Sequence, residues 1–104
     1  MFSAIKKLLG FGPSADYAAL MQQGAIIIDV RSKGEYASGH IKGSINIPVD
    51  QLSKNLNKFK NKEQHIITCC ASGMRSASAK GILTSNNFVN VYNGGPWHRL
   101  NQKI

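Results

Sequence analysis

Apolar and polar residues divide the chain into two kinds of segment. Ala25–Ile28 is an unbroken apolar run ending at Asp29, and His65–Cys69 is a second, mostly apolar run. Neither alternates with period two, so each predicts a strand buried on both faces, as in a parallel sheet. Phe88–Tyr92 predicts a third strand, and Ser44–Ile47, closed by Pro48, a short one. Between them apolar residues recur at helical spacing. Ser14 opens a helix with Asp16 in its first turn, Tyr17, Leu20 and Met21 along it, and Gly24 to end it. Val49–Phe59 predicts a helix with Leu52, Leu56 and Phe59 on one face. Arg75–Asn86 predicts a helix of small residues with Ile82 and Leu83 inside, and Trp97–Lys103 a last one. Arg31–Pro48 is rich in Gly, Ser and charge, and reads as a long loop with one helical turn near Glu35–Ser38 before its short strand. Asn61–Gln64 is a polar break and Asn93–Pro96 a turn. Strands alternating with helices predict one α/β domain over 14–104 with a mainly parallel sheet, preceded by an arm or short helix over 1–13.

Composition narrows the partners. With 42% hydrophobic and 17% charged residues, the chain of 104 can build one core and is not of the disordered class. Its 13 Lys+Arg against 5 Asp+Glu leave a formal charge of +8, which favours anions. Lys54, Lys58, Lys60 and Lys62 form the densest run and read as a solvated face. Zinc-finger spacing, an RNA-binding aromatic motif and a basic helix block are all missing, so nucleic acid is not an expected partner. No stretch approaches the roughly 20 apolar residues of a membrane span. Met1, Ile5, Leu8 and Leu9 would share a helical face, but Lys6 and Lys7 interrupt an apolar stretch too short for a secretory leader. An arm packed on the domain is the expectation, an interfacial membrane helix the alternative.

The two cysteines, Cys69 and Cys70, are adjacent. A disulfide between neighbours is strained and closes no useful loop, so a reduced thiol in a cytoplasmic setting is expected. His65 and His98 have no ligand spacing around them, and neither a metal nor a cofactor is expected.

The segment that carries chemistry runs from His65 to Lys80. A buried strand enters a cysteine, then a tight Gly-containing loop, an arginine and a small-residue helix. Ligands of α/β sheets sit outside such carboxyl ends of strands. The loop Ala71, Ser72, Gly73, Met74 can turn backbone N–H groups toward one point, and the helix start adds about half a positive charge. Arg75 adds a cation or braces the loop, and Ser72 and Ser76 can bond the sulfur or cap the helix. A Cys70 thiol there is expected to reach a pKa of about 4–7 rather than about 8.5. The same cradle suits a persulfide, in a cycle where Cys70 takes sulfur from a donor and yields it to an acceptor.

These residues resemble the single-domain rhodanese family. Asp29-Val30-Arg31 is similar to its Asp-x-Arg, Glu35-Tyr36 with Gly39-His40-Ile41-Lys42-Gly43-Ser44 to its Glu-Tyr…Gly-His-Ile-x-Gly-Ala, and Asn46-Ile47-Pro48 continues that stretch. Asn90-Val91-Tyr92, Gly94-Gly95 and Trp97 resemble its closing strand and turn. The resemblance covers about residues 14–100. It implies a rhodanese-like α/β fold, with a central, mainly parallel five-stranded sheet flanked by helices. It also implies a sulfurtransferase using a small sulfur-donor anion such as thiosulfate and a thiol or cyanide acceptor, in some cases with a sulfur-relay protein. Asp29, Arg31 and His40 are then structural supports of the loop.

Two registers compete. Cys70 gives Cys-x4-Arg, as in rhodanese loops, and Cys69 gives Cys-x5-Arg, as in cysteine phosphatases. The strand reads through Cys69, and the loop supplies no general acid, so one would have to come from Glu35 or His40. Sulfur chemistry at Cys70 is therefore preferred. A phosphatase or oxyanion reductase, and a non-catalytic binding module, are the alternatives.

Overall fold

The two longest apolar runs lie side by side. The computed structural model describes residues 15–104, so the expected N-terminal arm and Ser14 fall outside the described residues. Strand β1 (Ile26–Asp29) pairs in parallel with β3 (Ile66–Cys70), Ile26 opposite Ile66 and Asp29 opposite Cys69. β2 (Ile45–Asn46) adds to the free side of β1, and β4 (Val91–Pro96) to that of β3. All pairings are parallel, so every strand ends at the same edge. Helices α1 (Tyr17–Gln22), α2 (Lys33–Ser38), α3 (Met74–Ser85) and α4 (Trp97–Lys103) and two 3-10 stretches (Val49–Lys54, Leu56–Lys58) make the connections.

Successive side chains of a strand point to opposite faces of the sheet, and the core divides accordingly. Ile28, Val30, Ile66 and Cys70 pack with Leu52, Ala79, Leu83 and Phe88. Ile27, Ile67 and Cys69 pack with Tyr17, Leu20, Ile41 and Leu100. Burying both faces is why the strand runs show no polar alternation. Among the described residues no helix is long and apolar enough to cross a membrane.

Several expectations are corrected. The sheet has four strands among the described residues, not five. Val49–Phe59 does not form one α-helix. The 3-10 stretches break at Asn55, whose side-chain amide donates to the Gln51 carbonyl at 2.8 Å in competition with the backbone pattern. The expected single turn near Glu35–Ser38 is a helix from Lys33. It is fixed by a capping box in which Ser32 Oγ accepts from the Glu35 N–H and the Glu35 carboxylate accepts from the Ser32 N–H. Asp16 is the cap of α1, its carboxylate accepting from the Ala19 N–H at 3.0 Å, rather than a first-turn residue. α3 starts at Met74, one residue earlier than expected.

The third apolar strand is displaced. Asn87 takes a φ of 72°, and the chain turns so that Phe88 drops into the core while Val89 stays exposed. β4 therefore begins at Val91 and continues through the expected turn Asn93–Pro96. Thr68 faces Asn93 and Cys70 faces Pro96, so three steps of β4 match two of β3. This bulge holds Gly94 and Gly95. A Cβ on Gly94 would stand 2.9 Å from Ile67 Cγ2, Leu100 Cδ2 and the Thr68 carbonyl oxygen, two of them core side chains. Gly94→Ala is expected to cost about 1–3 kcal/mol by overpacking, read as a lower urea midpoint at unchanged slope.

Candidate active site

Two adjacent cysteines on one strand must face opposite ways, and only one can meet α3. Cys69 lies with Ile67 and Leu100 on the α1–α4 face. Burial there pushes its thiol up to about 12, which leaves it protonated. Cys70 lies on the α3 face beside Ala79 and Leu83. β3 includes Cys70, one residue further than the sequence suggests, and the loop is only Ala71–Gly73 before the helix.

The start of α3 is built around the Cys70 sulfur. Gly73, the residue before the helix, has φ 104°, a left-handed conformation that favours glycine and turns its N–H inward. That N–H reaches Sγ at 2.9 Å, and the Ser76 N–H reaches it at 3.4 Å. No side chain of residue 73 caps α3, so Sγ accepts the third-residue N–H that a serine or aspartate cap would take. Burial opposes ionisation of Cys70. The Ser76 hydroxyl and the N–H groups of Ser76, Gly73 and Ser72 outweigh it, and the thiol's pKa lies below its ordinary value.

The other loop residues divide by exposure. Ala71 and Ser72 are exposed, and Met74 is 78% exposed, at the rim rather than in a pocket. Ser76 is fully buried. Its hydroxyl lies 3.4 Å from Sγ, 3.0 Å from the Gly73 carbonyl and 2.6 Å from Asn93 Oδ1. Thr68 Oγ1 donates to the Ser76 carbonyl at 2.9 Å and ties the first turn of α3 to β3.

Arg75 braces rather than points free. Its guanidinium grips Glu35 through two hydrogen bonds of 2.7 and 3.0 Å, linking α3 to α2. Arg75, then the Ser32 N–H, hold the Glu35 carboxyl at about 2. Asp29 and Arg31 form a buried pair at 2.7 Å. Arg31 also donates to the carbonyls of Gly39 at 2.7 Å and Glu35 at 3.3 Å and lies over the Trp97 ring. His40 is exposed, stacked on Tyr36, with Nδ1 2.8 Å from the Tyr36 carbonyl. Its hydrogen-bond and stacking partner, Tyr36, lies in α2. Asn93, Thr68 and the Arg75–Glu35 link are absent from the sequence reading.

A sulfur met by two backbone N–H donors at the carboxyl edge of a parallel sheet defines a cysteine-centred α/β domain. The chain belongs to the rhodanese-like domain family, which matches residues 14–95. Thiosulfate sulfurtransferase GlpE of Pseudomonas fluorescens is 31% identical over 80 residues, covering 77% of this chain and 72% of GlpE. The uncharacterized protein YqhL of Bacillus subtilis is 35% identical over 69 residues, 66% of this chain, and the chain spans only 54% of YqhL. The human single-domain sulfurtransferase TSTD1 superposes with a TM-score of 0.72 at 26% identity, covering 89% of this chain and 98% of that one. Relatives also include tRNA uridine(34) hydroxylases. Sulfurtransferases are thus among the relatives of this domain, and the expected fold family is the observed one.

The Glu35 carboxyl supplies a pH test. Its folded value of about 2 lies below the ordinary 4.5, so the unfolded chain binds more protons between them. The stabilisation is complete above about 4.5 and is lost as the pH falls toward about 2. Glu35→Gln is expected to flatten that part of the acid limb, measured by urea midpoints across the same pH range.

Proposed function

We propose that the domain is a sulfurtransferase in which Cys70 carries sulfane sulfur as a persulfide. The observation that supports this most is the Gly73 N–H 2.9 Å from Cys70 Sγ at the start of α3. Donors placed for a thiolate also suit the terminal anionic sulfur of Cys–S–S⁻. The Cys70 thiolate attacks the outer sulfur of thiosulfate, the S–S bond breaks, and sulfite leaves with its electron pair. An acceptor thiolate or cyanide then attacks that sulfur, releasing a persulfide or thiocyanate and restoring the Cys70 thiolate. Ala71, Ser72, Gly73, Met74, Arg75 and Ser76 form the anion-binding loop, with Arg75 acting through its grip on Glu35. Asp29 and Arg31 brace the α2 segment that carries Glu35, and His40 supports that segment by stacking on Tyr36. Cys70 is itself fully buried, so donor access requires residues 71–73 to yield. A thiol cycle of this kind needs a reducing compartment, for which we take the cytoplasm, and a sulfur-relay protein is a natural acceptor.

The phosphatase alternative needs a proton for the leaving group. Glu35, held ionised by Arg75, is a poor source of one at neutral pH. Cys69, the nucleophile of that register, is buried and protonated on the opposite face. Intact-mass analysis of the reduced protein with thiosulfate tests the reading. The native chain and Cys69→Ser are each expected to gain about 32 Da, one sulfur, that cyanide removes, and Cys70→Ser to gain nothing. No gain, or a gain that survives Cys70→Ser, overturns it.

A further inference from the structure

The Asn93 side chain is held in one orientation by a group that can only donate. The Gly95 N–H reaches Oδ1 at 2.9 Å, so the amide oxygen, not the nitrogen, faces it. Nδ2 then faces the Gly73 carbonyl at 3.4 Å. The bulge sets this direction, since it stands between the Thr68–Asn93 and Cys70–Pro96 pairings. The Asn93 backbone is fixed separately, its carbonyl accepting from the Tyr17 hydroxyl at 3.1 Å.

The same Oδ1 lies 2.6 Å from Ser76 Oγ. A serine hydroxyl has one hydrogen, and three acceptors surround this one: Asn93 Oδ1 at 2.6 Å, the Gly73 carbonyl at 3.0 Å and Cys70 Sγ at 3.4 Å. It can serve one at a time. When Cys70 is protonated, its thiol donates to Ser76 Oγ and the hydroxyl donates to Asn93. When Cys70 gives its proton to water, the thiolate needs donors, and the Ser76 hydrogen must leave Asn93 to reach it.

We propose that Asn93 is a positioning residue that sets the ionisation of Cys70 by competing with its sulfur for the Ser76 hydroxyl hydrogen. The proposal rests on Cys70 being the working nucleophile and adds a residue that acts on it through Ser76. Asn93 is uncharged, so it competes without repelling the thiolate. Among the described residues the charged and titratable groups around the cradle are Arg75 on α3 with its partner Glu35 on α2, Cys69 on β3, and the Asp29–Arg31 pair at the end of β1. Tyr17 of α1 reaches only the Asn93 carbonyl, and Asn93–Pro96 of β4 bring no charge. Of these only Cys69 is altered below, and it is serine in every variant compared.

The test is the pH dependence of iodoacetamide alkylation of Cys70 in a Cys69→Ser background. Ser76→Ala is expected to raise the alkylation midpoint, because the sulfur loses a donor. Asn93→Ala is expected to lower it by about half a unit to one unit, giving roughly 3–10-fold more thiolate below the midpoint, because Ser76 is released to the sulfur. Asn93→Asp, nearly the same shape, is expected to raise it, since a carboxylate holds the hydroxyl and repels the thiolate. With Ser76 already replaced by alanine, Asn93→Ala should change nothing further. A general loosening of the cradle would raise the midpoint in every variant. An Asn93→Ala midpoint that rises, an Asn93→Asp midpoint that falls, or an Asn93→Ala effect that persists without the Ser76 hydroxyl overturns the proposal. Alkylation reads the thiol without any sulfur donor. Failure to load sulfur with these shifts intact would therefore sink the proposed function and leave the role of Asn93 standing.

Discussion

The structure of the site depends on one requirement: the first turn of α3 has backbone N–H groups that need an acceptor, and the Cys70 sulfur is placed to be it. The Gly73 and Ser76 N–H groups converge on Sγ, and no side chain of residue 73 takes that place. An ionised sulfur satisfies these donors better than a neutral thiol and also meets the positive end of the helix. Helix stability and thiolate formation are therefore coupled, because both improve when the sulfur carries charge. Strand alternation decides which cysteine receives this treatment. One position earlier, Cys69 is buried on the opposite face beside Asp29, and burial, then the Asp29 charge, push its thiol up to about 12.

Holding a three-residue loop over a sulfur requires walls that do not move. Arg31 supplies one by joining Asp29 to the carbonyls of Gly39 and Glu35, which stitches the end of β1 to the α2 segment. A buried pair of this kind contributes specificity of arrangement more surely than net stability, because desolvation offsets much of its attraction. The Arg75–Glu35 bridge then ties α2 to α3. Being partly exposed, it adds little to folding by itself, but two parallel hydrogen bonds fix direction as well as distance. Glu35 serves both walls, with its carbonyl on Arg31 and its carboxylate on Arg75 and the Ser32 N–H.

What the sequence made legible follows from signal strength. β1, β3 and α3 rest on long apolar runs or a helical run next to a glycine, and each appears within a residue or so of its expected bounds. The Cys70 loop was legible because a strand, a cysteine, a glycine and an arginine stand in one short stretch. α2 was underestimated because Gly34 and Gly39 argue against a helix, whereas the two-residue signal of Ser32 and Glu35 argues for it and prevails. β4 was misplaced because Asn93-Gly94-Gly95-Pro96 carries the composition of a turn, and a bulge uses the same residues. Asn93 and Thr68 gave no signal of their role. Their contacts with Ser76 depend on the register of β4 against β3 and of β3 against α3, which no local pattern encodes.

The charge of the chain and the charge of the site differ in a way that bears on mechanism. The formal charge is +8, yet the rim of the loop is neutral: Ala71, Ser72 and Met74 are exposed, and the cation that follows them, Arg75, is engaged by Glu35. Dispersed lysines can draw anions toward the surface over the distance that salt allows. At the sulfur itself the positive potential comes from N–H dipoles fixed by the fold. Dipoles of this kind need little reorganisation when charge moves from one sulfur to the next. Under the proposed reaction that matters, because the anion shifts by one S–S bond at each step while the donors stay where Gly73 and Ser76 hold them. A lysine or arginine at the rim would favour whichever anion it touched, and a persulfide stabilised too well would not be handed on.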